Sequence, residues 1–341
     1  DWRWLKYHKK PYLFSTLWDI LCGNIYIIYL LCKYKVEIIH ARGVIAAAMS
    51  FLPSLLYRCK FIFDIRSSLA GAYSSAGYWS KTSLIYKLVK FLECLFVRHS
   101  DFVVVETAAH ADMLFHQSSN ANLPPIEVIP CCVDLNRFHY KLVQSHAFTK
   151  LTDIKSLKLL YIGSLSGWYM LDEMLDFFLV LNEIIPDSQF LFLTNDEYSQ
   201  IANKISKHRV LATAVQLESI GYNEVASRAI QMDAGIVFTK PMERLESMPV
   251  KIGEYLASGL PVVVNKRMGD AEELVRQQKA GVVLEEFSRE GYQKAVSELL
   301  RLIKEGSTLR DRCRKIAEES LSLDMGIAKY DNIYKNFTCY E

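Results

Sequence analysis

The 341-residue sequence has no Cys-x-x-Cys pair, no His-rich spacing and no Asp-x-Asp pair. Its eight cysteines, at positions 22, 32, 59, 94, 131, 132, 313 and 339, are scattered. That excludes a zinc site or a disulfide framework and fits free, buried thiols in a reducing cytoplasm. With Asp64 and Asp270 each standing alone, there is no paired carboxylate to seat a divalent cation. No basic run is interleaved with stacking aromatics, so nucleic acid is not an expected partner. No small-residue cleavage site follows the apolar stretch near the start, which argues against a secretory signal. No short-period repeat is present either.

What is present is globular. Hydrophobic residues make up 51% and charged residues 23%, and the length exceeds what one ordinary core absorbs, so two domains are expected. The net charge of +2 is unevenly spread: residues 1–150 hold 17 Lys and Arg against 10 Asp and Glu, the remainder 23 against 28. A basic first half suits anionic lipid head groups or a phosphorylated acceptor. Residues 13–32 are almost long enough to span a bilayer, but Asp19 and Asn24 interrupt them. They read as a buried or interfacial helix. A helix lying on a membrane, flanked by Lys9, Lys10, Lys33 and Lys35, is the alternative.

Beyond this the chain alternates. Apolar β-type runs at 36–40, 61–65, 102–106 and 126–129 are separated by helical patterns near 44–57, 81–98 and 107–115. The rhythm returns with runs at 157–163, 190–194, 215–220, 235–238, 261–265 and 281–284. Such alternation implies parallel strands wrapped by helices. The segment 139–156 is polar and is the expected linker, and 321–337 reads as a closing amphipathic helix. Two doubly wound domains facing each other across a cleft follow from the pattern.

Ligands of open α/β sheets sit beyond the carboxyl ends of the strands. There the first block places His40, Arg42, Asp64 and Arg66, with an Arg42–Asp64 structural ion pair as the competing reading. The second block places Gly163 and Ser164, where a bare backbone can approach a phosphate, and Lys240.

The stretch 240–265, KPMERLESMPVKIGEYLASGLPVVVN, reads as loop, helix, stop and strand. Ser247 is the expected cap and Pro249 fits the first turn; Gly259 and Pro261 end the helix near Ser258. Lys251, Glu254 and Ser258 share one stripe, while Gly253 and Ala257 leave another nearly bare. A polar stripe beside free N–H groups suits a ligand with phosphates and hydroxyls. A solvated surface Lys–Glu pair is the plainer reading.

Glu246 and Glu254, separated by seven residues, with Glu254 opening EYLASGLPVV, resemble the E-x7-E signature of the retaining glycosyltransferases of family 4, which have the GT-B fold. VIPCCVDLNRF, residues 128–138, is similar to that family's V-I-P-N-G-V-D-x-x-x-F segment, with Cys131-Cys132 in place of Asn-Gly. The resemblance implies a sugar moved from a nucleotide-diphosphate sugar to a lipid-linked or saccharide acceptor with retention. The implied setting is surface polysaccharide assembly in the cytoplasm, peripheral to the inner face of the membrane, with no tightly bound cofactor or metal.

Glu246 and Lys251 would be catalytic; Gly163, Ser164, Gly221, Tyr222, Lys240, Arg244, Ser247, Met248, Pro249 and Glu254 would hold the donor; His40, Arg42, Asp64 and Arg66 would line the acceptor side. The expected domains are 1–140, 157–322 and a helix, 323–341, crossing back to the first. Against the family pattern, the first block lacks a Gly-rich loop before residue 36, so its domain is expected to be truncated. Residues 165–170 are also uncharged where Arg and Lys would clamp a diphosphate. FDIRSS, with Asp64 and Arg66, loses the family's strand-end His. A nucleotide-sugar 2-epimerase and a non-catalytic nucleotide-sugar-binding subunit stay open.

Overall fold

The computed structural model describes residues 3–8, 10, 12–75, 77–117, 123–138, 140, 154–165, 167–197, 199–206, 208–240 and 248–338. The expected linker falls almost wholly outside these, as do Arg244, Glu246, Ser247 and Cys339. The chain divides into two compact units, Asp1–Ile129 with Lys329–Glu341, and Pro130–Ala328.

Unit 1 opens with α1 (Tyr12–Lys33), followed by β1 (Ile38–Arg42), α2 (Val44–Tyr57), β2 (Lys60–Arg66), α3 (Leu69–Ser75), α4 (Leu84–His99), β3 (Phe102–Val105), α5 (Ala108–Gln117) and β4 (Ile126–Val128). The four strands are parallel in the order β1-β2-β3-β4. Because every crossover moves the same way, right-handed connections put α2, α4 and α5 on one face. There Phe61, Phe63, Ile65, Val103 and Val105 pack with Ala47, Phe96 and Val97. The opposite face meets the chain's last helix, whose Tyr330 and Tyr334 reach Asp64 and His40.

Unit 2 holds β5 (Lys158–Ile162), α6 (Leu171–Ile184), β6 (Gln189–Leu193), α7 (Ser199–Ile205), α8 (Arg209–Ala214), β7 (Val215–Glu218), α9 (Tyr222–Ala229), β8 (Ala234–Val237), α10 (Val250–Ala257), β9 (Val262–Asn265), α11 (Asp270–Gln278), β10 (Gly281–Leu284), α12 (Arg289–Ile303) and α13 (Ser307–Ser320); α14 (Leu323–Thr338) closes the chain. The six parallel strands run β10-β9-β8-β5-β6-β7. The order reverses beside β5, so helices cover both faces, a Rossmann-like arrangement. Strands β5 and β8 pair only over Leu159↔Ala234 and Leu160↔Gly235. Past that point the fully buried Tyr255 enters: its hydroxyl accepts from Ile162 N (2.9 Å) and donates to Ile236 O (3.4 Å). Its ring lies on Gly235, where a Cβ would come within 2.4 Å of it.

Every strand expected from the sequence is found within about two residues, as boundary fraying allows. Three expectations are corrected. Helix α10 is capped at Pro249, so Pro249 precedes its first turn instead of lying in it; Ser247, the expected cap, lies outside the described residues. Only Cys59 and Cys313 are buried among the described cysteines, Cys32 being exposed. Of the two readings of α1, buried or interfacial, the buried one does not hold: its outer face carries exposed Phe14, Leu17, Trp18 and Leu21, and among the described residues α2 is its main packing partner.

Candidate functional site

Helix α10 stops as expected. Gly259 takes φ +72°, its N–H meets Leu256 O at 2.9 Å, and Leu260 N meets Tyr255 O at 2.9 Å. This double bond satisfies the last carbonyls. The stripe of Lys251, Glu254 and Ser258 is not a solvated face: the three are 7%, 4% and 0% exposed. Gly253 on the bare side faces Val133 and the carbonyl of Cys131.

Lys251 reaches the carboxyl end of β5. Its Nζ donates to Tyr161 Oη at 3.0 Å. It stands 3.5 Å from the ring centre of Tyr169 and 4.2 Å from that of Tyr161. Rings hold a cation through their quadrupoles, but among the described residues no carboxylate lies within ion-pair distance of it. Burial therefore pulls its ammonium down to about 7, with Glu254 only partly opposing. Gly163, at φ +115°, brings bare backbone beside this amine; a Cβ there would sit 3.1 Å from Nζ. A buried cation, an open backbone and a helix N-terminus at the point of strand reversal form a seat for an anion.

One turn further along α10, burial raises the Glu254 carboxyl. Tyr222 Oη donates to its Oε1 at 3.1 Å, and Arg137 lies 4.4 Å above the Tyr222 ring. Gly221 caps α9 and its N–H donates to Glu224 Oε2 at 3.0 Å. Thus Lys251, Gly163, Glu254 and Tyr222 are organised by one helix. Met248 is buried just ahead of it.

Other expected residues are engaged elsewhere. Ser164 Oγ donates to Asp196 Oδ2 at 2.8 Å, which also takes Leu165 N at 2.6 Å. Lys240 is exposed, its N–H bonded to Trp168 O at 2.9 Å. In unit 1, Asp64 accepts from Arg42 Nη1 (2.9 Å) and Tyr330 Oη (3.0 Å), with His40 Nε2 at 3.8 Å. The structural ion pair is what is observed there. Arg66 stands apart, its Nε donating to Glu106 at 3.0 Å. Among the described residues no cluster of three His, Cys, Asp or Glu could hold a metal.

Sequence reasoning missed Tyr161, Tyr169, Arg137 and Asp196. Only Tyr161 carried a usable signal: two residues before Gly163 on a strand, it shares that glycine's face.

The family model described as "Glycosyl transferases group 1" matches residues 145–320. No curated protein matches the sequence. Among solved structures, sucrose-phosphate synthase from Thermosynechococcus elongatus is similar with a TM-score of 0.73 at 14% identity, over 99% of this chain and 82% of that one. A glycosyltransferase from Rickettsia africae gives 0.70 at 16%, over 99% and 85%. Anabaena HepE in complex with UDP gives 0.69 at 15%, over 94% and 82%. At such identities the likeness establishes the fold alone, that of the GT-B class.

Proposed function

Because the chain belongs to the group 1 glycosyl transferases, we propose that it moves a sugar from a nucleotide-diphosphate sugar to a lipid-linked or saccharide acceptor with retention, in cell-surface polysaccharide biosynthesis. Members of the family use nucleotide-sugar donors without a tightly bound cofactor. The observation that carries the site assignment is Lys251, buried on two rings beside Gly163, with no carboxylate of the described residues within ion-pair distance. That HepE is solved with UDP and with UDP-glucose makes UDP-sugars the first donors to try.

In this reading the diphosphate lies against Gly163 and the start of α10. Negative charge grows on it as the glycosidic bond breaks. Protonated Lys251, the N–H groups at the start of α10 and the helix dipole oppose that charge, usually the largest catalytic contribution. Glu254 receives the ribose hydroxyls, replacing the Tyr222 hydroxyl that it holds now. Glu246 binds the donor sugar, and Arg244 and Lys240 supply cations where residues 165–170 offer none. His40, Arg42, Asp64 and Arg66 serve the acceptor side. The free thiols support a cytoplasmic setting.

Incubating the protein with a panel of UDP- and GDP-sugars tests this. Slow release of nucleoside diphosphate is expected, and Glu246→Ala should lower it by about 10²–10³-fold. An epimerised sugar nucleotide, or binding without turnover, would overturn the transferase assignment. Equal rates in parent and variant would remove Glu246 from it.

A further inference from the structure

We propose that unit 1 docks peripherally on an anionic membrane surface through the outer faces of α1 and α2, an assignment that goes beyond the donor chemistry and does not depend on it. The two helices lie side by side. Asn24 Nδ2 donates to Ala48 O at 3.1 Å, Gly23 packs on Met49, and Cys32 Sγ is 2.8 Å from Tyr57 Oη. The polar groups of α1 turn inward: Ser15 and Asp19 are buried, with Asp19 held by His8 at 2.6 Å.

What faces outward is Phe14, Leu17, Trp18, Leu21, Ile25 and Tyr29, each more than half exposed. Their three- and four-residue spacing makes one stripe about 22 Å long. Leu52, Leu55 and Leu56 of α2, all more than half exposed, add to it beyond Ile25. A solvated helix carries charge on its outer face. Here α2 has no charged residue, and α1 has only the buried Asp19 and the terminal Lys33.

The charges that frame this face select its occupant. Exposed Lys10 stands at one end, and exposed Lys33, Lys35 and Arg58 at the other. The nearby acid, Glu37, is already opposite Lys35 at 3.6 Å. Lys33 also lies over the Tyr29 and Tyr34 rings, 5.8 and 5.5 Å from their centres. An apolar stripe with aromatic and cationic ends matches acyl chains flanked by anionic head groups. A second copy of the same face would bring no carboxylate to meet these cations. Helix α1 is long enough to cross a bilayer, but Asn24 and Gly23 fasten it to α2 and Asp19 is held by His8, so it lies along the surface.

Flotation of the full chain with vesicles of phosphatidylglycerol and phosphatidylcholine in equal parts tests this. The protein should float with these vesicles and stay behind with phosphatidylcholine alone. Lys33→Ala and Arg58→Ala should each weaken binding about 5-fold. Trp18→Ser with Leu21→Ser should abolish it, with circular dichroism unchanged because both side chains are exposed. Brominated lipid should quench tryptophan emission, less so in Trp18→Phe. Equal binding to neutral vesicles, retention after alkaline extraction, or concentration-dependent dimers that Trp18→Ser dissolves would each overturn the proposal.

Discussion

Burial that pulls the Lys251 amine down to about 7 has two consequences with opposite signs. An unfolded chain keeps this lysine charged up to about pH 10.4. Between those values the unfolded state binds the extra proton, so stability rises with pH across that window and the full cost stands below pH 7. The cost is a few kcal/mol, partly offset by the Tyr161 bond and the two rings. Lys251→Met should therefore raise the melting temperature, by roughly 2–4 °C per kcal/mol recovered. It should also lose affinity for UDP. In the parent, an arriving diphosphate restores the proton, so UDP affinity should fall up to about tenfold per pH unit above pH 7. In Lys251→Met the profile above pH 7 should be flat. Calorimetric titration of both proteins across pH 7–9 decides this; parent-like affinity and an unchanged melting temperature would remove Lys251 from both accounts.

Among the elements, α10 is packed on α13 and seated on the sheet by the ring and hydroxyl of Tyr255. Tyr255 rests flat on Gly235 and fills the gap where β5 and β8 part. Tyr255→Phe leaves the Ile162 N–H buried without its partner, a loss of about 1–3 kcal/mol. Gly235→Ala places a methyl inside the volume of a fully buried ring, 2.4 Å from its atoms. It should cost more than Tyr255→Phe and loosen α10, and Lys251 with it. Urea unfolding ranks the two, and a Gly235→Ala protein as stable as its parent would refute this account of how α10 is seated.

The strands and the stop at Gly259 were legible in the sequence because alternation and left-handed caps are local. Three features were not. The Lys251–Glu254 stripe is written identically for a solvated and a buried face, and only Tyr161 and Tyr169, arriving from β5 and the loop before α6, decide which. Arg137 reaches Tyr222 from a segment more than eighty positions away. The exposed face of α1 has the composition of a core helix, and its lack of cover is a property of its surroundings.

For the whole molecule, the two units respond to acid in opposite directions. In unit 1, burial alone would raise the Asp64 carboxyl, but bonds from His40 and Tyr330 and the Arg42 charge outweigh it and hold it below the ordinary range. A carboxyl lowered in the folded state stabilises fully above its unfolded value, and that stabilisation disappears as pH falls below about 4. Because Asp64 joins the ends of β1 and β2 to α14, its protonation loosens the sheet and the helix together. In unit 2, burial raises the carboxyls of Glu254, Asp233 and Asp176; protonating these relieves a cost, so mild acid favours the folded form there. Heating below pH 3 should thus separate a first transition of unit 1 from a later one of unit 2. Pepsin should cut first within residues 1–129, and Tyr330→Phe should lower the unit 1 transition already at neutral pH and so shrink its further fall in acid. A single cooperative transition below pH 3, with cleavage spread evenly over both units, would show that Asp64 does not govern the acid response.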